Sequence, residues 1–138
     1  LSGATVPEVG KPGFELSNDE IEFGIGIHGE PGYRREKMGP SKVLAEELVD
    51  KLIESYDEKS GKFGILVNGM GSTPLMEQYV FANDVNSLLR EKGIKVIYKK
   101  IGDLMTSIDM AGISLTLIRL EEEEWLDALN SPVTTIAW

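Results

Sequence analysis

Apolar and polar positions alternate from Ile21 to Ile27, where Ile21, Phe23, Ile25 and Ile27 are separated by Glu22, Gly24 and Gly26. A period of two predicts a strand with one buried face. Gly39-Pro40-Ser41 then ends a loop, and Val43, Leu44, Leu48, Leu52, Ile53 and Tyr56 recur at helical spacing up to a stop at Asp57 to Gly61. Ser41 is the expected N-cap of that helix, with Glu46 and Glu47 early enough to suit its dipole. Phe63 to Val67 is a short apolar run between Gly61 and Gly69, the mark of a buried strand. A second helix is expected after it, with Thr73 as cap, Pro74 at the first helical position and Leu75, Tyr79, Ala82, Val85, Leu88 and Leu89 as the buried stripe. Gly93 stops it, with Lys92 in the last turn.

Ile94 to Tyr98 alternates with lysines and reads as a strand; Ile101 to Gly112 reads as a loop or a short helical turn. Ile113, Leu115 and Leu117 alternate with Ser114 and Thr116, giving a strand that ends by Leu120. Glu121 to Glu124 opens a short helix whose Trp125, Leu126 and Leu129 are assigned to the core, and Ser131-Pro132 closes it. Val133 to Ala137 is the expected last strand. Strands alternate with helices long enough for crossovers, so the fold class is α/β in two layers, with three main helices over a sheet of five or six strands.

Residues 1–19 carry Pro7, Pro12 and glycines but little periodicity, and are expected to be a linker or interdomain approach segment before a domain at 20–138. Leu1 is no initiator methionine, so such a domain is expected to have been cut from a longer chain.

A chain of 138 residues can bury a real core. A formal charge of −9 argues against nucleic acid, whose affinity comes largely from Lys and Arg on phosphates; YRREK at Tyr33 to Lys37 is the densest basic cluster. No apolar run reaches the roughly 20 residues of a membrane helix, and no signal peptide opens the chain. A cytoplasmic location and no membrane contact are expected. The sequence has no cysteine, so disulfides, thiolate nucleophiles and Cys-ligated zinc are excluded.

Candidate chemistry centres on His28, the one histidine, where strand hands over to a turn made by Gly29, Pro31 and Gly32. A lone histidine there more often closes a turn through backbone hydrogen bonds. Metal binding is weak, because only carboxylates could complete a site. His28-Gly29-Glu30 matches the H-x-E of zinc deaminases, but the P-C-x-x-C half is missing. A neutral imidazole can instead attack the carbonyl of a short ketose and form a covalent hemiaminal. Glu30 would orient the ring, line a pocket, or simply face solvent. Gly69 to Thr73 precedes a helix and could bind an anion, though a tight turn is the commoner outcome and the Walker lysine is absent. Asp109 is read as a loop cap or internal hydrogen-bond acceptor.

GIGIHGEPG, LVNGMGSTPLME at Leu66 to Glu77 and MTSIDMAGISLTL at Met105 to Leu117 together resemble the substrate-binding subunit of bacterial dihydroxyacetone kinases, over about Glu20 to Trp138. The resemblance is to its second half, the C-terminal domain. It implies a two-layer α/β domain with a mixed sheet, and a histidine, mapping onto His28, that binds dihydroxyacetone covalently; Gly29 and Glu30 would be substrate-binding neighbours. It implies that the catalytic aspartate and a second histidine belong to a preceding N-terminal domain, with ADP or ATP and magnesium on a separate nucleotide-binding subunit. No cofactor or metal is expected on this domain. The fragment would hold substrate but not phosphorylate it alone.

No helical nucleotide-binding domain follows Trp138, which, if that end is natural, points to the phosphotransferase-system-dependent type. A homodimer is also implied. Two rivals stand beside this reading: a non-catalytic dihydroxyacetone-binding paralogue acting as a transcription coactivator, and a related fatty-acid-binding carrier in which His28 is structural.

Overall fold

A computed structural model describes residues 3–26, 30–57 and 60–138. In chain order the elements are β1 (Glu20–Phe23), β2 (Arg34–Lys37), α1 (Ser41–Glu54), β3 (Lys62–Gly69), α2 (Leu75–Glu91), β4 (Lys95–Gly102), β5 (Ile113–Arg119) and α3 (Glu123–Asn130).

β3 is central because it is apolar along its length, and it is paired on both sides. β4 lies parallel to it after the α2 crossover, and β5 lies antiparallel on the other edge. The sheet is therefore mixed. Phe63, Ile65 and Val67 alternate toward α1 and α2, where Ala45, Val49, Ile53, Phe81, Val85 and Leu89 complete a buried core. The opposite face begins at Gly64, whose missing side chain leaves room for Tyr98 and Ile118. Tyr98 reaches α3 there, its hydroxyl donating to the Leu129 carbonyl at 3.4 Å.

The α/β class, the three helices and the mixed sheet agree with the sequence reading. The strands divide differently: five form a three-stranded sheet, β4-β3-β5, and a separate β1-β2 hairpin. β1 ends at Phe23 rather than Ile27 because Gly24 takes a positive φ of 75° and turns the chain. Its partner β2 is RREK, too charged to show a buried face. Val133 to Ala137 forms no strand; Ile136 is fully exposed, and Trp138 instead stacks on Tyr98 at 6.5 Å between centroids.

Three helical assignments also change. Leu75 and Tyr79 are exposed, and the buried face of α2 begins at Gln78 and Phe81. Val43 is exposed on α1, while α3 buries no residue and leaves Trp125 open. Neither Ser41 nor Thr73 caps a helix: Pro40 and Pro74 stand before the first turns, and no side chain bonds to either terminus. Residues 3–14 form a bridged turn, with Thr5 opposite Pro12 and Gly3 N–H donating to the Phe14 carbonyl at 3.0 Å. Among the described residues no helix is long and apolar enough to cross a membrane.

Candidate functional site

The hairpin stands over the helical layer and leaves a cavity of about 680 Å³ beneath it. Its wall combines Ile21 to Ile25 and Tyr33 from the hairpin, Met70, Thr73 and Glu77 from the β3–α2 junction, and Met110 to Leu115 from the segment entering β5. Leu44, Leu48 and Leu52 of α1 form its floor. The three sequence motifs, far apart in the chain, thus meet around one space. Most of the lining is apolar, with Glu22, Ser41, Lys51, Thr73, Glu77 and Ser114 as the polar exceptions.

His28, the leading candidate from sequence, and its neighbour Gly29 lie outside the described residues. Their flanks are well tied. Gly26 N–H donates to the Glu30 carbonyl at 3.1 Å, and Tyr33 N–H donates to the Phe23 carbonyl at 2.9 Å. Gly32 N–H donates to Glu22 Oε1 at 2.6 Å, and Arg35 Nε meets Glu22 Oε2 at 2.8 Å. Glu30 is exposed but engaged: a side chain at Gly26 would overlap its carboxylate. The Tyr33 hydroxyl donates to Glu47 Oε1 at 2.7 Å; burial and that carboxylate push its pKa up to about 12. It therefore stays protonated at neutral pH and offers no base to the cavity.

The junction loops are joined by polar contacts. Asn68, 2% exposed, accepts from the Leu104 and Met105 N–H groups at 2.8 Å each and donates to the Met105 carbonyl at 2.8 Å and to Ser114 Oγ at 3.2 Å. Thr73 Oγ1 donates to the Gly112 carbonyl at 2.7 Å and accepts from Gly112 N–H at 3.0 Å. Gln78, fully buried, donates to the Thr73 carbonyl and to Asp103 Oδ1, at 2.9 and 2.7 Å.

The anion-cradle reading of Gly69 to Thr73 gives way to the turn reading. Met70 N–H is spent on the Gly112 carbonyl at 3.0 Å and Ser72 N–H on the Met110 carbonyl at 3.1 Å. Asp109 acts as an acceptor, as expected, but its donor is distant in sequence: Thr5 N–H at 2.6 Å, which holds the carboxyl below its ordinary pKa. Among the described residues no three His, Asp or Glu side chains are grouped to hold a metal.

Sequence reasoning passed over Asn68, Gln78 and Glu22. Each had a signal: Asn68 is a polar residue in an apolar strand, Gln78 stands four and seven residues before Ala82 and Val85, and Glu22 lies between two apolar strand positions.

The profile of the Dak1 domain family matches residues 1–137. The chain belongs to the Dak1 domain family. It is 63% identical over 139 residues to the dihydroxyacetone-binding subunit DhaK of a PTS-dependent dihydroxyacetone kinase from Lactococcus lactis, covering all of this chain and 42% of that protein. It is 52% identical over 131 residues to the DhaKLM operon coactivator DhaQ of the same organism, covering 93% of this chain and 40% of the relative. The crystal structure of the dihydroxyacetone kinase of C. freundii in its native form aligns over all of this Dak1 chain and 25% of its own, with a TM-score of 0.85 and 28% identity. The chain thus spans about two fifths of the length of these curated relatives.

Proposed function

We propose that this Dak1 chain is the substrate-capturing part of a phosphotransferase-system-dependent dihydroxyacetone kinase. In this reading a neutral imidazole nitrogen of His28 attacks the ketone carbon of dihydroxyacetone. A carbon–nitrogen bond forms, the carbonyl π bond opens onto oxygen, and that oxygen takes up a proton as the ring loses its own N–H proton. The product is a hemiaminal. Glycerol, which has no electrophilic carbon, is refused by the same chemistry.

The observation that carries the reading is the convergence of the three motifs around one cavity, at the hairpin that bears His28. The cavity is mainly apolar and far larger than a triose, so polar contacts from its wall would hold such a ligand poorly. A covalent bond from the hairpin removes that need. Phosphoryl transfer requires cations and metal around the transferred group. We assign these, with ADP or ATP and magnesium, to a nucleotide-binding partner subunit. Residues 20–138 form the working domain, the chain acts beside a further N-terminal domain in a cytoplasmic homodimer, and alone it does not phosphorylate.

A second reading is supported by the 52% identity to the coactivator DhaQ, in which capture would signal rather than feed a kinase. The test is a carbon NMR spectrum of carbonyl-labelled dihydroxyacetone with the full-length polypeptide and its His28→Ala variant. Replacement of the carbonyl signal by a tetrahedral carbon, lost in the variant, is expected; an untouched carbonyl overturns the reading. Adding the nucleotide-binding subunit and the phosphoryl donor then separates kinase from coactivator, since only the former yields dihydroxyacetone phosphate.

A further inference from the structure

Glu22 is the most securely held charged group on the cavity wall, and capture by His28 makes no direct use of it. Its side chain is 4% exposed, and Arg35 Nε pairs with Oε2 at 2.8 Å. Oε1 accepts the Gly32 N–H at 2.6 Å. A carboxylate so enclosed needs partners for both oxygens, and each oxygen has one. Arg35 is also the residue directly opposite Glu22 in the hairpin ladder, so the ion pair is a cross-strand pair that fixes the carboxylate's orientation.

Gly32 receives that orientation. It stands where the chain returns from the loop into the hairpin, and its backbone is pressed against β1. A Cβ there would overlap the Phe23 carbonyl oxygen and lie 2.7 Å from Glu22 Cγ. The Gly32 N–H therefore has a close and directed contact with a buried anion, the strong class of hydrogen bond.

We propose that Glu22 is a positioning residue of the capture site: through Gly32 it sets where the chain re-enters the hairpin after His28, and so governs how readily the imidazole meets a carbonyl. The inference rests on the His28 reading above. Attack by a nucleophile depends steeply on geometry, so a small displacement of the loop's return limb lowers capture without unfolding the domain. Arg35 acts one step further out, by holding Glu22.

The test compares the full-length polypeptide with its Glu22→Gln, Glu22→Ala and Arg35→Gln variants in two measurements. One is titration with carbonyl-labelled dihydroxyacetone by carbon NMR. The other is the Gly32 amide proton in a glycine-labelled nitrogen–proton spectrum, a signature that global stability does not set. The expected Gly32 proton is shifted downfield in the wild type and moves upfield in Glu22→Gln, then further in Glu22→Ala. Capture weakens about tenfold in Glu22→Gln, the size of losing a charged hydrogen bond, and more in Glu22→Ala. Glu22→Gln is nearly isosteric and keeps an acceptor, so it guards against an Ala variant that fails to fold. Wild-type capture by folded variants overturns the proposal and leaves Glu22 a hairpin strut. A wild type that captures nothing overturns the His28 reading before any variant is made, and takes this inference with it.

Discussion

The side-chain amide of Asn68 pairs with Met105 as a strand would: Oδ1 accepts the Met105 N–H and Nδ2 donates to the Met105 carbonyl, both at 2.8 Å. The same oxygen also takes the Leu104 N–H at 2.8 Å. β4 has ended at Gly102, so no neighbouring strand is available to these groups, and one buried carboxamide replaces it. Asn68→Ala would take the Asn68 partner from these part-buried backbone groups. A loss of about 2–4 kcal/mol in unfolding free energy is expected, measured by urea denaturation of the full-length polypeptide. Asn68→Asp retains the acceptor and loses the donor, so it should cost less than Ala only where the carboxylate can be protonated.

Gly71 gives a second prediction, at the other side of the same junction. Its φ of 132° disfavours any side chain, and a Cβ would overlap the Ile108 carbonyl oxygen. Ile108 cannot easily retreat, because it holds a left-handed φ of 54° within a segment bridged to Gly71 through Met110. Gly71→Ala should therefore cost at least about 2 kcal/mol, more than the usual penalty for Ala at positive φ, because backbone strain and overlap add. Differential scanning calorimetry against Gly93→Ala isolates the overlap. Gly93 also has a positive φ, of 77°, but open space around its Cβ position.

The helices and the central strands were legible because burial repeats along them with the period of the element. Where that signal failed, the failure had a physical cause. β2 is RREK: it pairs with β1 through its backbone and exposes most of its side chains, so it carries no apolar period. Leu75 and Tyr79 do carry a helical period, yet they stand on the exposed side of α2, while Gln78 is buried with its amide nitrogen bonded to the Thr73 carbonyl and to Asp103. Periodicity reports where apolar residues stand, not which of two faces meets the core. The site divided likewise. Parts of the three motifs line the cavity, whereas Asn68, Glu22 and Gln78 depend on contacts 36, 10 and 25 residues away and leave no local motif.

The two faces of α2 make that distinction measurable. Leu75→Lys and Tyr79→Lys should each change the stability of this domain by no more than about 0.5 kcal/mol, as exposed substitutions do. Val85→Ala, at a fully buried position, should cost about 1–3 kcal/mol. Equal losses at Tyr79 and Val85 would contradict the burial seen here.

The tie between Thr5 and Asp109 should respond to acid. The Thr5 N–H at 2.6 Å lowers the Asp109 pKa in the folded chain, so the interaction is fully present above the ordinary aspartate range and is lost as pH falls through the depressed value. A pH series of the Thr5 amide resonance should therefore show its midpoint below about 3.9, the unperturbed value. In Asp109→Asn that titration should vanish, and Thr5 and the bridged turn from Gly3 to Phe14 should exchange their amide protons faster. A midpoint at or above the ordinary value would show that the contact contributes nothing in solution.

Tyr33 offers the opposite sign. Burial and Glu47 raise its pKa to about 12, so the folded chain holds the phenolic proton more tightly than the unfolded chain does. Its contribution is complete below pH 10, the unfolded value, and is lost as pH rises from there toward 12. Burial raises the Tyr98 phenol as well, so ultraviolet titration of the phenolate band should show both tyrosines ionising late, and Tyr33→Phe should remove one of those late steps. Because the hydroxyl is protonated and committed to Glu47 throughout the neutral range, Tyr33→Phe should also leave the pH profile of the proposed dihydroxyacetone capture unchanged from pH 6 to 9. A profile that loses a basic limb in Tyr33→Phe would instead make Tyr33 a proton acceptor, and would require Glu47 to release it when ligand binds.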